Sequence, residues 1–458
     1  MIPAAAAGFS LAGGAGIQCD ETVRARPADR MLWLYRILFL PGLLVSAPAY
    51  LWRMRRRGGY SENFAHRFGA HDGLPAKQPG VRRIWLQAVS VGEMLAIAPL
   101  LEGLRRAGGV EVYLTTTTST GYRLALERCA ALTIGIGYFP LDWWLFSRRA
   151  WRRIDPDLVI LTEGERWPEH IHQAARRGVP VLAINARLSD RSFARMQWLG
   201  SGARIMLREI SRVLPSSALD AGRFRELGYP DERITPTGNI KLDVAIPRLT
   251  ADERAALRCE LGLPDGQVLM GASTWAGEET ALVDTLRAAR AAGHACSLLL
   301  VPRHSERRGE LERLLSTSGL RVHFRSRGAA PGEVDVSVAD TTGELRRLLQ
   351  VADVVFVGKS LPPHTEGQTP VEAAVLELPI LFGPGMGNFR EISRDLLARH
   401  AAVQVADAAA LMTTATDLLS NENHRRDLAL NAGKWHRDNA GAVERTLAAI
   451  REELVKLK

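Results

Sequence analysis

The spacing of apolar positions changes period in the middle of residues 82–108. "RRIWLQAVS" is apolar and β-branched, as a buried strand should be. "GEMLAIAPLLEGLRRAG" then carries apolar residues at helical spacing and stops at Gly108. The same alternation recurs. "VEVYLTTTT" and "DPDLVILTE" read as strands, "RWPEHIHQAARRG" as a helix, "VPVLAINARL" and "RVLPSS" as strands, and "ALDAGRFRELG" as a helix. "RITPTGNIKLDV" breaks the rhythm, which places a linker at about 241–250. The alternation restarts with strand "QVLMGAST", helix "GEETALVDTLRAARAAG", strand "HACSLLLVPRH", helix "RGELERLLSTSG" and strand "LRVHFRS". "ADTTGELRRLLQVA" runs from loop into helix. Strand "DVVFVGKS", helix "TPVEAAVLELP" and strand "ILFGP" follow, and the stretch from Arg390 is mostly helical. Apolar strands alternating with helices imply parallel sheets covered on both faces. The expected fold class is α/β, with two doubly wound domains, 58–243 and 244–458, facing a cleft. The last helix is able to pack back on the first domain.

Residues 1–30 are rich in Ala and Gly without period and read as disordered. Residues 31–57 read as a membrane anchor. The run is apolar from Ile37 to Trp52, with Trp33, Tyr35 and Trp52 at its ends and Arg53, Arg55, Arg56 and Arg57 after it. It is shorter than the roughly 20 residues of a spanning helix and carries Pro41 and Pro48, so a short span and an interfacial helix both fit. A buried helix of a soluble domain is the competing reading. A basic end marks a cytoplasmic side, so the expected location is the cytoplasmic membrane, with the domains facing the cytoplasm.

Composition adds little to this outline. A chain of 458 residues suits two to three domains, and its 46% hydrophobic content suits a full core. Four scattered cysteines argue against a disulfide framework or zinc site. The net charge of +9 favours anionic partners, but the charge is spread along the chain without an aromatic–basic motif, so no nucleic-acid partner is expected.

In doubly wound folds ligands bind beyond the carboxyl ends of the strands. Glu93 stands where a strand end becomes a helix. It is either a base for an attacking hydroxyl or an electrostatic cap of its helix. Glu163 and Glu165 follow another strand, where two acids repel unless a cation or hydroxyls lie between them. Asn185, Arg187 and Ser189 stand at a third tip, where Arg suits a phosphate or carboxylate. "DPD" at 155–157 precedes its strand, lies at the far end from the cleft, and is rejected as a metal motif. In the second half, Ser273 and Thr274, Arg303 and His304, Thr342 and Gly343, and Gly358, Lys359 and Ser360 occupy strand tips or helix starts, with Glu372 in a first helical turn. Small residues there leave N–H groups for a phosphate, although each stretch alone also reads as capping.

The ordered set "AVSVGE", "TEGERWP", "NARLSDRS", "TGNIKLD", "GAST…GEE", "PRH", "DTTGEL", "GKSL…EGQTPVEAA" and "FGPGMGNFREI" resembles the bacterial 3-deoxy-D-manno-octulosonic acid (Kdo) transferase family. The resemblance covers roughly residues 31–455. It implies a GT-B fold, metal-independent inverting transfer from CMP-Kdo to a lipid A precursor at the inner face of the cytoplasmic membrane, and no cofactor. It gives Glu93 the role of base. It places Ser90, Gly92, Glu163, Glu165 and Arg187 toward the acceptor. Ser273, Thr274, Arg303, His304, Thr342, Gly343, Glu344, Gly358, Lys359, Ser360, Gln368, Glu372 and Asn388 fall toward the nucleotide sugar. The chain departs from the family's "ETELWP" at Gly164 and Arg166, from "GGSL" at Lys359, from "GGHNPLE" or "GGQNPIE" at Glu366 and Thr369, and from "FGPHxxNF" at Gly385. A GT-B transferase for another nucleotide sugar and a non-catalytic membrane-associated member of the fold remain as alternatives.

Overall fold

The computed structural model describes residues 27–56, 62–200 and 207–457. The expectation of disorder therefore falls mostly on residues outside the described ones, as does Arg57. The first described element is a helix, Pro27–Arg56. It begins four residues earlier than the boundary drawn from hydropathy, because Pro27 suits a first helical position. Its stretch Met31–Trp52 is the one helix among the described residues long and apolar enough to cross a membrane, and none of that stretch is buried in the protein. Trp33, Ile37, Leu44, Val45 and Trp52 are all exposed, so this is no core helix of a soluble domain.

The first sheet holds β1 (Arg82–Gln87), β2 (Val110–Thr116), β3 (Gly135–Tyr138), β4 (Leu158–Thr162), β5 (Val181–Ala186) and β6 (Arg212–Pro215), in the order β3-β2-β1-β4-β5-β6. All pairings are parallel. Ile84 and Leu86 of β1 enter the core on one face and Trp85 the core on the other. Burial on both sides explains why the strand reads as an apolar run rather than an alternation. The strand order reverses between β1 and β4, so the crevice lies at their carboxyl ends. Asp157 lies before β4, at the opposite end, where it accepts from the Arg83 N–H at 2.7 Å.

The second sheet holds β7 (Gln267–Thr274), β8 (Cys296–Pro302), β9 (Val322–Phe324), β10 (Val336–Val338), β11 (Val354–Val357), β12 (Ile380–Phe382) and β13 (Val403–Gln404), in the order β13-β12-β11-β7-β8-β10-β9. Its reversal falls between β11 and β7. Val268 and Met270 pack on one face and Leu269 on the other, again burying both sides. Each fully buried side chain of this size contributes about 1.5–3 kcal/mol.

The last helix, Ala442–Lys456, packs against the first sheet rather than the second. Leu447 and Ile450 join the core of Ile84 and Leu86. Asp243, in the segment between the sheets, accepts from the N–H groups of Gly441 and Val443 at 2.5 Å each, which caps this helix where the chain crosses over.

Candidate active site

β1 ends at Gln87, and Ser90 caps the helix Val91–Ala107 by accepting from the Glu93 N–H at 3.2 Å. The Glu93 carboxylate folds back onto the strand tips. Oε2 accepts from the Val89 N–H at 3.0 Å and from the Thr162 hydroxyl at 2.5 Å, while Oε1 accepts from Ser90 Oγ at 2.9 Å. Thr162 is the last residue of β4, so Glu93 bridges the two strands that flank the reversal. It is 7% exposed and forms no ion pair among the described residues. The three donors leave about one lone-pair direction of the carboxylate unused.

The other residues expected toward the acceptor divide. Glu163, at φ 51°, pairs with Lys241 and accepts weakly from Asn185 Nδ2 at 3.4 Å. Asn185, at φ 48°, accepts from the Ile240 N–H at 3.1 Å, so the tips of β4 and β5 are tied to the inter-domain segment. Burial, and then the charge of Glu93, push the Glu165 carboxyl up to about 7. Ser90, Gly92, Glu93, Glu163 and Glu165 thus gather at neighbouring strand ends. Arg187 instead reaches across to Glu391 of the second domain at 2.6 Å. Arg166 donates to the Arg187 carbonyl at 3.1 Å and lies 5.7 Å from the Phe224 ring, and burial lowers its pKa to about 10.

In the second sheet the tips of β7 and β11 touch. A Cβ on Gly358 would stand 2.5 Å from the Ser273 carbonyl oxygen, so only glycine fits. Ser273 and Thr274 are buried there. The N–H groups of Lys359, Ser360 and Leu361, expected to face a phosphate, donate instead to the Glu278 carboxylate at 2.7, 2.8 and 3.1 Å, and the Trp275 N–H joins them at 2.9 Å. Ser360 is fully buried, its hydroxyl donating to the Val357 carbonyl and accepting from the Gly383 N–H. The Lys359 ammonium lies 4.3 Å from the centre of the Trp275 ring and 3.3 Å from Glu366. His304 stacks edge-on to Trp275 at 5.2 Å, with Arg303 exposed beside it.

Thr342 and Gly343 are exposed on the loop after β10, and Glu344 is held by Arg325 at 2.8 Å, toward the far side of the same edge. Gln368 is half-buried. Glu372 accepts from the Thr369 hydroxyl at 3.1 Å. Asn388 is exposed and donates its N–H to the Glu366 carbonyl at 2.8 Å. Sequence reasoning did not single out Lys241, Glu278, Trp275 or His364. Lys241 and Glu278 lie inside quoted stretches, but their partners sit 78 and 81–83 residues away, by difference from Glu163 and from Lys359 to Leu361.

Comparison with known proteins adds to this geometry. The family described as 3-Deoxy-D-manno-octulosonic-acid transferase (kdotransferase) matches residues 62–244. A 3-deoxy-D-manno-octulosonic acid transferase of Bordetella pertussis is 35% identical over 429 residues, covering 91% of this chain and 98% of its own. One of Haemophilus influenzae is 33% identical over 426 residues, covering 91% and 95%. Among solved structures, a UDP-GlcNAc 2-epimerase of Neisseria meningitidis superposes with a TM-score of 0.54 at 13% identity, over 82% of this chain and 100% of its own. That likeness concerns the fold, two parallel-sheet domains of GT-B type.

Proposed function

Since the chain belongs to the 3-deoxy-D-manno-octulosonic acid transferase family and is a glycosyltransferase, we propose that it moves Kdo from CMP-Kdo to a lipid A precursor, with Glu93 as the base. The observation that carries this reading is the Glu93 carboxylate, free of any ion pair among the described residues and held by Val89, Ser90 and Thr162 at the strand reversal. A carboxylate fixed there takes the proton from the acceptor hydroxyl as its oxygen attacks the anomeric carbon. Such help is worth about 10²–10⁴-fold. The cytidylate leaves toward the second sheet, where Arg303, Lys359 and the buried tips of β7 and β11 stand. Fixed charges and dipoles there stabilise the departing phosphate, with no metal or cofactor in the scheme. Attack on the face opposite the leaving group inverts the anomeric centre. The helix Pro27–Arg56 anchors the enzyme to the cytoplasmic membrane, with both domains on the cytoplasmic side.

The test is Glu93→Gln. The variant is expected to fold and to bind CMP as the wild type does, while Kdo transfer to lipid A precursor, read by mass spectrometry, falls by about a hundredfold or more. Transfer near the wild-type rate would remove Glu93 from the role.

A further inference from the structure

Lys359 occupies a backbone conformation that suits glycine. Its φ is 57°, and a lysine there strains the folded chain. Strain of this kind persists only where the surroundings over-determine it. Here they do, because Glu278, itself 1% exposed, clamps the N–H groups of residues 359–361. The clamp fixes the direction in which the side chain leaves. The ammonium lies over the Trp275 indole, and the side chain keeps 20% of its exposure, against 46% for its counter-ion Glu366. The lysine is therefore seated and the glutamate is at the solvent rim. His304 and His364 flank the same ring at 5.2 and 5.9 Å. Lys359 and Glu366 are also two of the places where the chain departs from the family pattern, and the structure makes them each other's partner.

We propose that Lys359 and Glu366 form an anion gate at the donor site: the phosphate of the nucleotide displaces Glu366 from the ammonium on Trp275, so that in this chain a side-chain cation supplies recognition otherwise left to the backbone. The reading rests on the second sheet's carboxyl edge being the donor site. It explains why the N–H groups at this tip are free to serve Glu278. The Glu366 carboxyl, held below its usual range by the Thr365 N–H and by Lys359, is an ionised competitor at neutral pH. The phosphate monoester of CMP brings more negative charge than a carboxylate to the same ammonium, and the donor's diester brings as much, while a ring-seated lysine loses little freedom on binding.

The experiment is calorimetric titration of the full-length protein with CMP and with cytidine, for wild type, Lys359→Gln, Lys359→Arg and Glu366→Gln. Lys359→Gln is expected to weaken CMP binding about tenfold, and Lys359→Arg to restore most of it. Glu366→Gln is expected to tighten CMP binding a few-fold, because the competitor is gone, which a merely structural pair would not do. Cytidine binding should be unchanged in every variant. CMP affinity unchanged in both Lys359→Gln and Glu366→Gln, or cytidine affinity changed in parallel with CMP, would overturn the gate. Wild-type protein that binds no CMP would instead overturn the donor-site reading itself. Should Lys359→Gln fail to fold, Glu366→Gln decides alone, since its exposed side chain carries little of the fold.

Discussion

The N-terminal helix is bolted to the first domain, and the bolt can be cut. Arg36 donates from Nε to Glu169 Oε2 at 2.7 Å and from Nη2 to Oε1 at 3.0 Å. The Arg36 side chain is 13% exposed and that of Glu169 is fully buried. One residue earlier, the Tyr35 hydroxyl donates to Asp142 at 2.7 Å, and Asp142 also accepts from the N–H groups of Glu169 and His170. Replacing one member of a buried pair strands the other charge and costs about 3–5 kcal/mol. Arg36→Ala is therefore expected to favour undocking of the helix by about 100- to 4,000-fold, at about 1.4 kcal/mol per tenfold. Replacing both members with apolar residues of similar size removes the stranded charge, so Arg36→Met with Glu169→Leu should recover most of the loss. Hydrogen exchange at the backbone of residues 35–38, in detergent or vesicles, reads the docking equilibrium. Exchange in Arg36→Ala within about threefold of wild type, or a double variant as loose as the single one, would show that the pair does not hold the helix.

Other outcomes follow from the same geometry. Glu165, pushed up to about 7 by burial and then by Glu93, keeps its proton when folded and loses it near pH 4.5 when unfolded, so its contribution to stability is lost as pH rises from about 5 to 8. Glu165→Gln should thus stabilise the protein at pH 8 and change little at pH 5, and urea titrations at the two pH values check this. Asp142, also raised to about 7, first by burial, gives the wild type a residual slope of the same sign that the variant retains. Gly358→Ala should cost more than about 2 kcal/mol in urea unfolding, because the added Cβ meets the backbone of Ser273 and Thr274 at 2.5 and 2.7 Å and neither strand can retreat. Glu391→Gln should leave stability within about 1 kcal/mol, since its pair with Arg187 is half-exposed. Because that pair joins the two domains, the same variant should widen the distribution of inter-domain distances measured by paired spin labels.

What the sequence made legible follows from burial. Strands such as β1 and β7 are apolar on both faces and bounded by glycine or polar tips, so period and length suffice to find them. β3 went unread because "GIGY" is only four residues long and half of it is glycine. Its glycines exist to make room, since a Cβ at Gly137 would stand 2.1 Å from the Tyr113 hydroxyl oxygen. The helix Trp144–Ile154 buries Ser147, Ala150, Trp151 and Ile154, a stripe whose serine and alanine thin the signal. Glu93 was visible because two of its three donors, Val89 and Ser90, are its neighbours in sequence. The pair of Arg187 with Glu391, 204 residues apart, and the use of three N–H groups by Glu278, 81–83 residues earlier, arise only when the two domains and the loops close.

The least legible feature is the most local one. Glu163, Asn185, Ser273 and Lys359 all take a left-handed φ of 48–57° without being glycine. Only asparagine among them commonly takes this conformation; the side chains of the other three do not announce it. Each sits near or just past the carboxyl end of a strand: β4, which flanks the reversal, and its neighbour β5 in one domain, and β7 and β11, which flank the reversal, in the other. A glycine at any of them would relieve the backbone and remove a polar side chain from the edge where the substrates are proposed to meet. Glutamate, asparagine, serine and lysine there cost backbone stability, as do Asn63, Asp155, Glu377 and His400 elsewhere in the described residues.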